Sequence, residues 1–185
     1  MSDLSSDNLL FSQLQSNDSQ SLGVLFDKYY QSLCRFTYII VHEKVVAEEL
    51  SANVFISLWE NRGQICIHTS LKAYLYKSAR NQAISYLRKK KETFYSLEND
   101  LDFSSPKDLG PESIFIDDEL KTEFDKALHK LSPKAKLAFS LHRFEGMRYS
   151  DIADIMEISV SAVEKNIASA LKSLHKELFL QTIID

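Results

Sequence analysis

With only 4 glycines, 3 prolines and 2 cysteines in 185 residues, the chain has few breaks and little covalent stapling. Few stretches alternate apolar and polar residues. Apolar residues recur mostly three and four apart, which predicts helices rather than strands. Cys34 and Cys66 sit in different contexts, so no disulfide framework is expected. Between Leu33 and Phe36, Cys34 reads as a small buried hydrophobe. Cys66 and His68 have no second Cys/His pair at ligand spacing, and the histidines at 42, 68, 129, 142 and 175 are scattered, so no metal site is expected. No span approaches the roughly 20 apolar residues of a membrane helix. The stretch from Met1 to Ser21 has neither the basic start nor the apolar run of a signal peptide. These shortages predict a cytoplasmic protein without direct membrane insertion. No nucleophile elbow, phosphate loop or catalytic carboxylate pair is present, so neither enzyme activity nor a cofactor is expected.

What the chain does have is segregated charge. The formal net charge of −4 hides a block at residues 61–91 with eight basic residues and no acid: Arg62, Lys72, Lys77, Arg80, Arg88, Lys89, Lys90 and Lys91. Residues 92–125 reverse the sign, with eleven acids against Lys107 and Lys121. A cationic block of this purity predicts a polyanion site; a solvated helix face ending in a basic tail is the competing reading. Tyr74, Tyr76 and Tyr86 lie within the block and Trp59 precedes it. Aromatics beside Lys and Arg suit a surface that stacks unpaired bases and follows phosphates, although each ring taken alone is more simply explained by core packing.

The expected organisation is an all-α fold of two small helical domains, 1–92 and 119–185, joined by a flexible acidic linker at 93–118. Each half, at roughly 80 residues, would bury only about 60% of its unfolded surface. A short helix around Asn8 to Leu14 precedes "SQSLGVLFDKYYQSLCRFTYIIV", where Leu22, Leu25, Phe26, Tyr29, Leu33 and Phe36 form one stripe. In "VVAEELSANVFISLWENR", Val46, Leu50, Val54 and Leu58 repeat at four-residue steps. Ser70 can cap a third helix whose buried face is Leu71, Leu75, Ala79, Ala83 and Leu87, leaving Lys77, Arg80, Asn81 and Arg88 in water. Two of the prolines, Gly110 and mostly acidic charge mark the linker.

The second half starts with a helix near Glu119 to Leu131 and restarts at Ser132, an N-cap followed by Pro133, before Gly146. The run "YSDIADIMEISVSAVEKNIASAL" then has the rhythm of a helix-turn-helix. Ala153, Ile158 and Val163 supply its small, turn and docking residues, and Ser159 can cap its second helix. An apolar stripe of Val163, Ile167, Leu171, Leu174 and Leu178 leaves Ser161, Ala162, Lys165, Asn166 and Ser169 facing outward. The apolar tail "LFLQTIID" reads as an extension of the last helix.

Taken in order, "VFISLWENR", "SLKAYLYKSARNQAISYLRKKK", the acidic linker and "LSPKAKLAFSLHRFEGMRYSDIADIMEISVSAVEKNIASALKSL" resemble the extracytoplasmic-function (ECF) sigma factors, the promoter-recognition subunits of bacterial RNA polymerase. The resemblance implies a transcription initiation factor with core RNA polymerase and promoter DNA as partners. By position it implies that Glu48, Glu49, Asn53, Phe55 and Trp59 dock on the polymerase clamp. The loop before Ser70, with Lys77, Arg80, Asn81 and Arg88, would capture and melt the −10 element. Ser161, Ala162, Lys165, Asn166 and Ser169 would read the −35 element in the major groove, and the linker would thread toward the polymerase active site. An anti-sigma factor that masks one or both domains is a further partner class the resemblance allows.

The sequence departs from the family pattern in several places. Ala52 and Asn53 stand where Gln and an acid are common, Arg148 replaces a Ser/Thr cap, and Ser169 replaces a common Arg. Ala162 offers only an apolar contact. Glu157 stands at the usual turn glycine, where a left-handed backbone would cost on the order of 1 kcal/mol. The competing class is a helix-turn-helix regulator that binds DNA without being a polymerase subunit, its first half used for dimerisation or sensing. Eight bases without an acid in that half argue against it. A pure adaptor without nucleic-acid contact is the third reading.

Overall fold

The computed structural model describes residues 2–67, 69–97, 127, 128 and 130–181, and among these the regular structure is α-helical. Helix α1 (Ser2–Gln15) turns at Asn17, whose φ is 69°, into α2 (Ser19–Val41). Asp18 caps α2 by accepting from the Gln20 amide at 3.0 Å. The expected stripe holds: Leu25, Tyr29, Leu33 and Phe36 are buried, and Leu22 and Phe26 pack at its border. Helix α3 (Lys44–Glu60) crosses α2 through small residues. Ala47 and Ser51 are buried there, and the Ser51 hydroxyl donates to Thr37 Oγ1 at 3.3 Å, so the close approach leaves neither hydroxyl without a partner.

Helix α4 (Leu71–Leu97) begins where Ser70 Oγ accepts from the Ala73 amide at 3.0 Å. Leu71, Leu75, Ala79 and Ala83 are fully buried as expected, but Leu87 is exposed. Ala83 packs on Val41 and Ala47, at the end of α2 and the beginning of α3, so the next turn of α4 overhangs both helices. The helix also continues past residue 92, where the linker was expected to begin, to Leu97. The rest of that linker lies outside the described residues, as does most of the helix expected near Glu119 to Leu131.

Helix α5 (Pro133–Arg143) starts as the sequence indicates, with Ser132 Oγ accepting from the Ala135 amide at 3.3 Å and Pro133 in the first turn. Gly146, with φ 63°, turns the chain toward α6 (Tyr149–Met156). Helix α7 (Val160–Gln181) carries the last helix into the apolar tail; residues 182–185 lie outside the description. Along α7, Val163, Ile167 and Leu174 are buried, but Leu171 is 54% exposed and Ala170 takes the inward position instead. Ala170 and Leu174 meet Leu128, Leu131 and Phe139 in a small satellite cluster. Among the described residues no helix is long and apolar enough to cross a membrane.

The two halves also pack directly on each other. Leu14, Leu25, Leu33, Leu58, Leu71 and Leu75 share one continuous core with Leu141, Ile152, Ile155 and Val163. Each such fully buried side chain contributes roughly 1.5–3 kcal/mol. Contact runs through α2 against α5 and α4 against α6. One buried charge sits at the far end, where Lys28 Nζ donates to the Asp7 carboxylate at 2.8 Å and the Tyr29 hydroxyl donates to its other oxygen. A buried carboxylate costs several kcal/mol unless paired and hydrogen-bonded, and Asp7 has both.

Replacing Leu33 with Ala at the fully buried centre of α2 lowers unfolding free energy by about 2–5 kcal/mol, read from urea midpoints. Burial, reinforced by the hydrogen bond to Asp7, pushes the Tyr29 phenol well above its ordinary range, and burial beside Glu145 does the same to Tyr76. Unfolded tyrosine releases its proton near pH ~10, while these two hold theirs in the fold. Their contribution is therefore complete below that pH and is lost progressively as pH rises above it toward the folded values; urea midpoints begin to fall at about pH 10 and keep falling as pH is raised further.

Candidate nucleic-acid interface

The basic block divides into three environments. Arg62 belongs to the scaffold: its guanidinium stacks over the Trp59 ring at 4.1 Å from the centroid and donates from Nε to Asn17 Oδ1 at 2.9 Å. Lys90 pairs with Glu43 across the start of α3. Asn81 and Arg88 are exposed on α4, as the sequence indicates.

Lys77 and Arg80, expected in open water, instead face α6. Lys77 Nζ lies 2.8 Å from Asp154 Oδ1, and Arg80 Nη1 lies 3.0 Å from Glu157 Oε2. The Arg80 side chain is only 16% exposed. One turn earlier, Lys72 Nζ donates to the Glu145 backbone carbonyl at 2.6 Å and pairs with its carboxylate at 3.1 Å. The correction has a simple origin: α4 is long enough to serve two surfaces, and its cationic side meets the acidic edge of the second half.

The aromatics separate as well. Tyr76 is fully buried, edge-on to Phe36 at 5.0 Å between centroids, so its ring is not available for stacking on a base. Its buried hydroxyl lies beside Ser32 and Glu145. Trp59, Tyr74 and Tyr86 are half-buried and keep part of their rings at the surface. On α3, Glu49 is exposed, and Glu48, Asn53 and Trp59 are half-buried. Phe55 differs from the other expected docking residues: it is 3% exposed and sits edge-on to Phe26 at 5.0 Å. It supports that face from beneath and cannot itself touch a partner in this arrangement. Cys34, expected to be buried, is half-buried, and desolvation raises its thiol above the usual range. Cys66 is exposed, and His68 lies outside the described residues.

The helix-turn-helix is built from α6 and α7. Ile158 N donates to Ala153 O at 3.1 Å across the turn, and Ser159 Oγ accepts from the Ala162 amide at 3.2 Å to start α7. Arg148 gives no side-chain cap to α6; its guanidinium pairs with Asp151 at 3.2 Å instead. Between the two helices Glu157 is left-handed, with φ 54° and ψ 46°. Ser161, Lys165 and Ser169 are exposed on one side of α7, with Ala162 and Asn166 half-buried beside them. Asn166 Nδ2 donates to Ala162 O at 2.7 Å, which leaves its second amide hydrogen and its Oδ1 for a base edge. Lys165 is the sole cation among these five residues, which leaves the helix weak in the phosphate neutralisation that dominates duplex affinity.

The sequence reading missed the acids that meet the cations. Asp154 and Glu157 have the same three-residue spacing as Lys77 and Arg80. That match was the available signal, although nothing in the sequence placed the two helices side by side.

Similarity to known proteins follows the same layout. The family described as "Sigma-70 region 2" matches residues 25–93, and the family described as "Sigma-70, region 4" matches residues 121–174. The chain is 25% identical over 180 residues to the RNA polymerase sigma-H factor of Pseudomonas aeruginosa, covering 93% of both chains. It is 21% identical over 185 residues to the ECF RNA polymerase sigma-E factor of Escherichia coli, covering 96% of this chain and 97% of that one. Among solved structures, CnrH in complex with the cytosolic domain of CnrY superposes with a TM-score of 0.64 at 17% identity, over 94% of this chain and 97% of that one. The sigma factor RpoE from Bartonella quintana, solved with the anti-sigma factor NepR, gives 0.63 at 21% identity, over 84% and 95%.

The strained turn makes a measurable prediction. In an Arg80→Gln background, where the cross-half ion pair is already gone, Glu157→Gly raises stability by about 1 kcal/mol through relief of the left-handed backbone. In the wild-type background the gain is smaller, because the substitution also removes the Arg80 pair; thermal denaturation of the four proteins gives both values.

Proposed function

The chain belongs to the sigma-70 family, in its extracytoplasmic-function branch, and on that premise we propose how its parts divide the initiation of transcription. It binds core RNA polymerase and directs it to specific promoters, its first half melting the −10 element and its helix-turn-helix recognising the −35 element. The observation that carries this is the order and extent of the two family matches, region 2 over residues 25–93 and region 4 over 121–174.

The residue assignments rest on position within those regions. Glu48, Glu49, Asn53 and Trp59 meet the polymerase clamp, with Phe55 buttressing them from the core. Lys77, Arg80, Asn81 and Arg88 hold the −10 strand. Ser161, Ala162, Lys165, Asn166 and Ser169 read the −35 duplex. Residues 1–92 and 119–185 act as the two domains, with residues 93–118 between them. An anti-sigma factor is a further partner class, since the RpoE neighbour was solved bound to one.

Affinity is supplied by linkage rather than by the reading helix. Once polymerase holds both halves and one promoter element is engaged, the second contact is intramolecular, at an effective concentration in the millimolar range for short connections. A reader with Lys165 as its sole cation is sufficient under those conditions. The test is in vitro transcription from a pool of random promoter fragments with purified core polymerase, with and without this protein. Protein-dependent starts sharing a two-part sequence are expected, together with weak duplex binding by the free chain. An active core that this chain neither binds nor directs, or tight specific duplex binding by the free chain, would overturn the reading.

A further inference from the structure

We propose that Gln15 and Asn17, at the end of α1, are positioning residues for the loop at 61–69, and that through it they set how sharply the first half discriminates the bases of an opened −10 strand. The discrimination rests on the initiation reading above; the hold of α1 on the loop does not.

Helix α1 is itself firmly placed. Phe11 and Leu14 are buried in the main core, and near its start Asp7 accepts from Lys28 and Tyr29 of α2. Its end is a doubly bonded turn: the Asp18 amide donates to Gln13 O at 3.1 Å and the Asn17 amide to Leu14 O at 3.0 Å, with Asn17 left-handed at φ 69°. Glycine is the usual residue at such a helix end. Asparagine tolerates the same backbone and adds a side chain. Here its Oδ1 accepts from both Nε and Nη2 of Arg62.

A second contact holds the loop backbone. Gln15 Nε2 donates to the carbonyls of Arg62 and Ile65, at 3.1 and 3.3 Å. A primary amide has two hydrogens, so one side chain serves two carbonyls three residues apart. Glutamate in its place would have no hydrogen to give, and asparagine would be one methylene short. Between those carbonyls the chain turns, the amides of Gln64 and Ile65 both donating to Asn61 O at 2.9 and 3.1 Å. Beyond the turn Ile65 and Ile67 pack against the core, while Gln64, Cys66 and Thr69 are exposed. These outward side chains stand on a backbone held by α1 on one side, by the core beneath, and by the Ser70 cap at its end.

The loop runs from α3, with its docking residues, directly into α4, with its strand-holding residues. A base that leaves the stack of a strand held on α4 meets a short polar row whose spacing is fixed before the base arrives. Groups ordered in advance need not be ordered on binding, so a wrongly shaped base edge is not accommodated by their movement.

The loop and its selectivity are measured separately. In the full chain with Cys34→Ser, a trifluoromethyl tag on Cys66 reports the loop by fluorine resonance. The parent gives one narrow line away from the position of the tag in urea-unfolded protein; Gln15→Ala with Asn17→Gly moves the line toward that position. Asn17→Asp, which keeps the acceptor, leaves it in place. Asn17→Gly alone removes the acceptor while easing the left-handed backbone, so its thermal midpoint stays close to that of the parent and a moved line does not reflect general loosening. An unmoved line in the double variant overturns the hold of α1 on the loop.

Selectivity is read with holoenzyme assembled from purified core polymerase and the untagged full chain. The templates are the promoter recovered from the random pool and versions with each base of its two elements changed in turn. At its most selective −10 position wild type prefers one base by about tenfold or more. The double variant lowers that preference to about twofold, while core affinity and the −35 preferences stay within about twofold of wild type. A moved line with an unchanged −10 preference overturns the role in selectivity, as does an equal loss at both elements or a loss of core binding. Failure of wild-type holoenzyme to initiate at a shared two-part sequence would sink the initiation reading and the selectivity claim with it; the fluorine line still decides the hold of α1.

Discussion

Helix α4 has to satisfy two neighbours at once. Its Leu71, Leu75, Ala79 and Ala83 face is locked into the first half, and its Lys72, Lys77 and Arg80 face meets the second. Because the helix is rigid, positions on one face fix positions on the other: burying Leu75 and Ala79 sets where Lys77 and Arg80 emerge. The helical repeat thus converts an ordinary packing requirement into the alignment of a charged surface. The continuous core supplies the force, and three ion pairs join the same two halves beside it.

Much of this was legible in the sequence because it depended on local rules. Helix α2 spans the quoted stretch Ser19–Val41, and the caps at Ser70, Ser132 and Ser159 accept the amides expected of them. The turn residues Ala153, Ile158 and Val163 lie where a helix-turn-helix needs them. Such features involve residues within a turn or two of each other, and spacing alone predicts them.

What spacing could not predict was where one element stops finding a neighbour. Leu87 and Leu171 continue perfectly periodic stripes but lie exposed, since periodicity records which way a side chain points and not whether anything lies opposite. The reverse holds for Phe55, read as a surface residue by position, which fills a gap beside Phe26. The acidic partners of Lys77 and Arg80 sit far along the chain, on a helix whose placement depends on the core as a whole. The charge block was visible as a block; its division among scaffold, contact and open surface was a tertiary fact.

Arg62 shows what that division means for motion. Its guanidinium lies on Trp59 and binds Asn17, while Gln15 Nε2 donates to the carbonyls of Arg62 and Ile65 at 3.1 and 3.3 Å. The loop leading to α4 is thereby stitched to the end of α1. Fraying of the first helix and loosening of this loop become one local opening event rather than two. The stiffness of the loop at the mouth of α4 is then set by the amino-terminal helix, which lies before the segment that matches the region 2 family. Two chains alike throughout that segment but different in their first helix would hold the same loop residues with different amide exchange lifetimes.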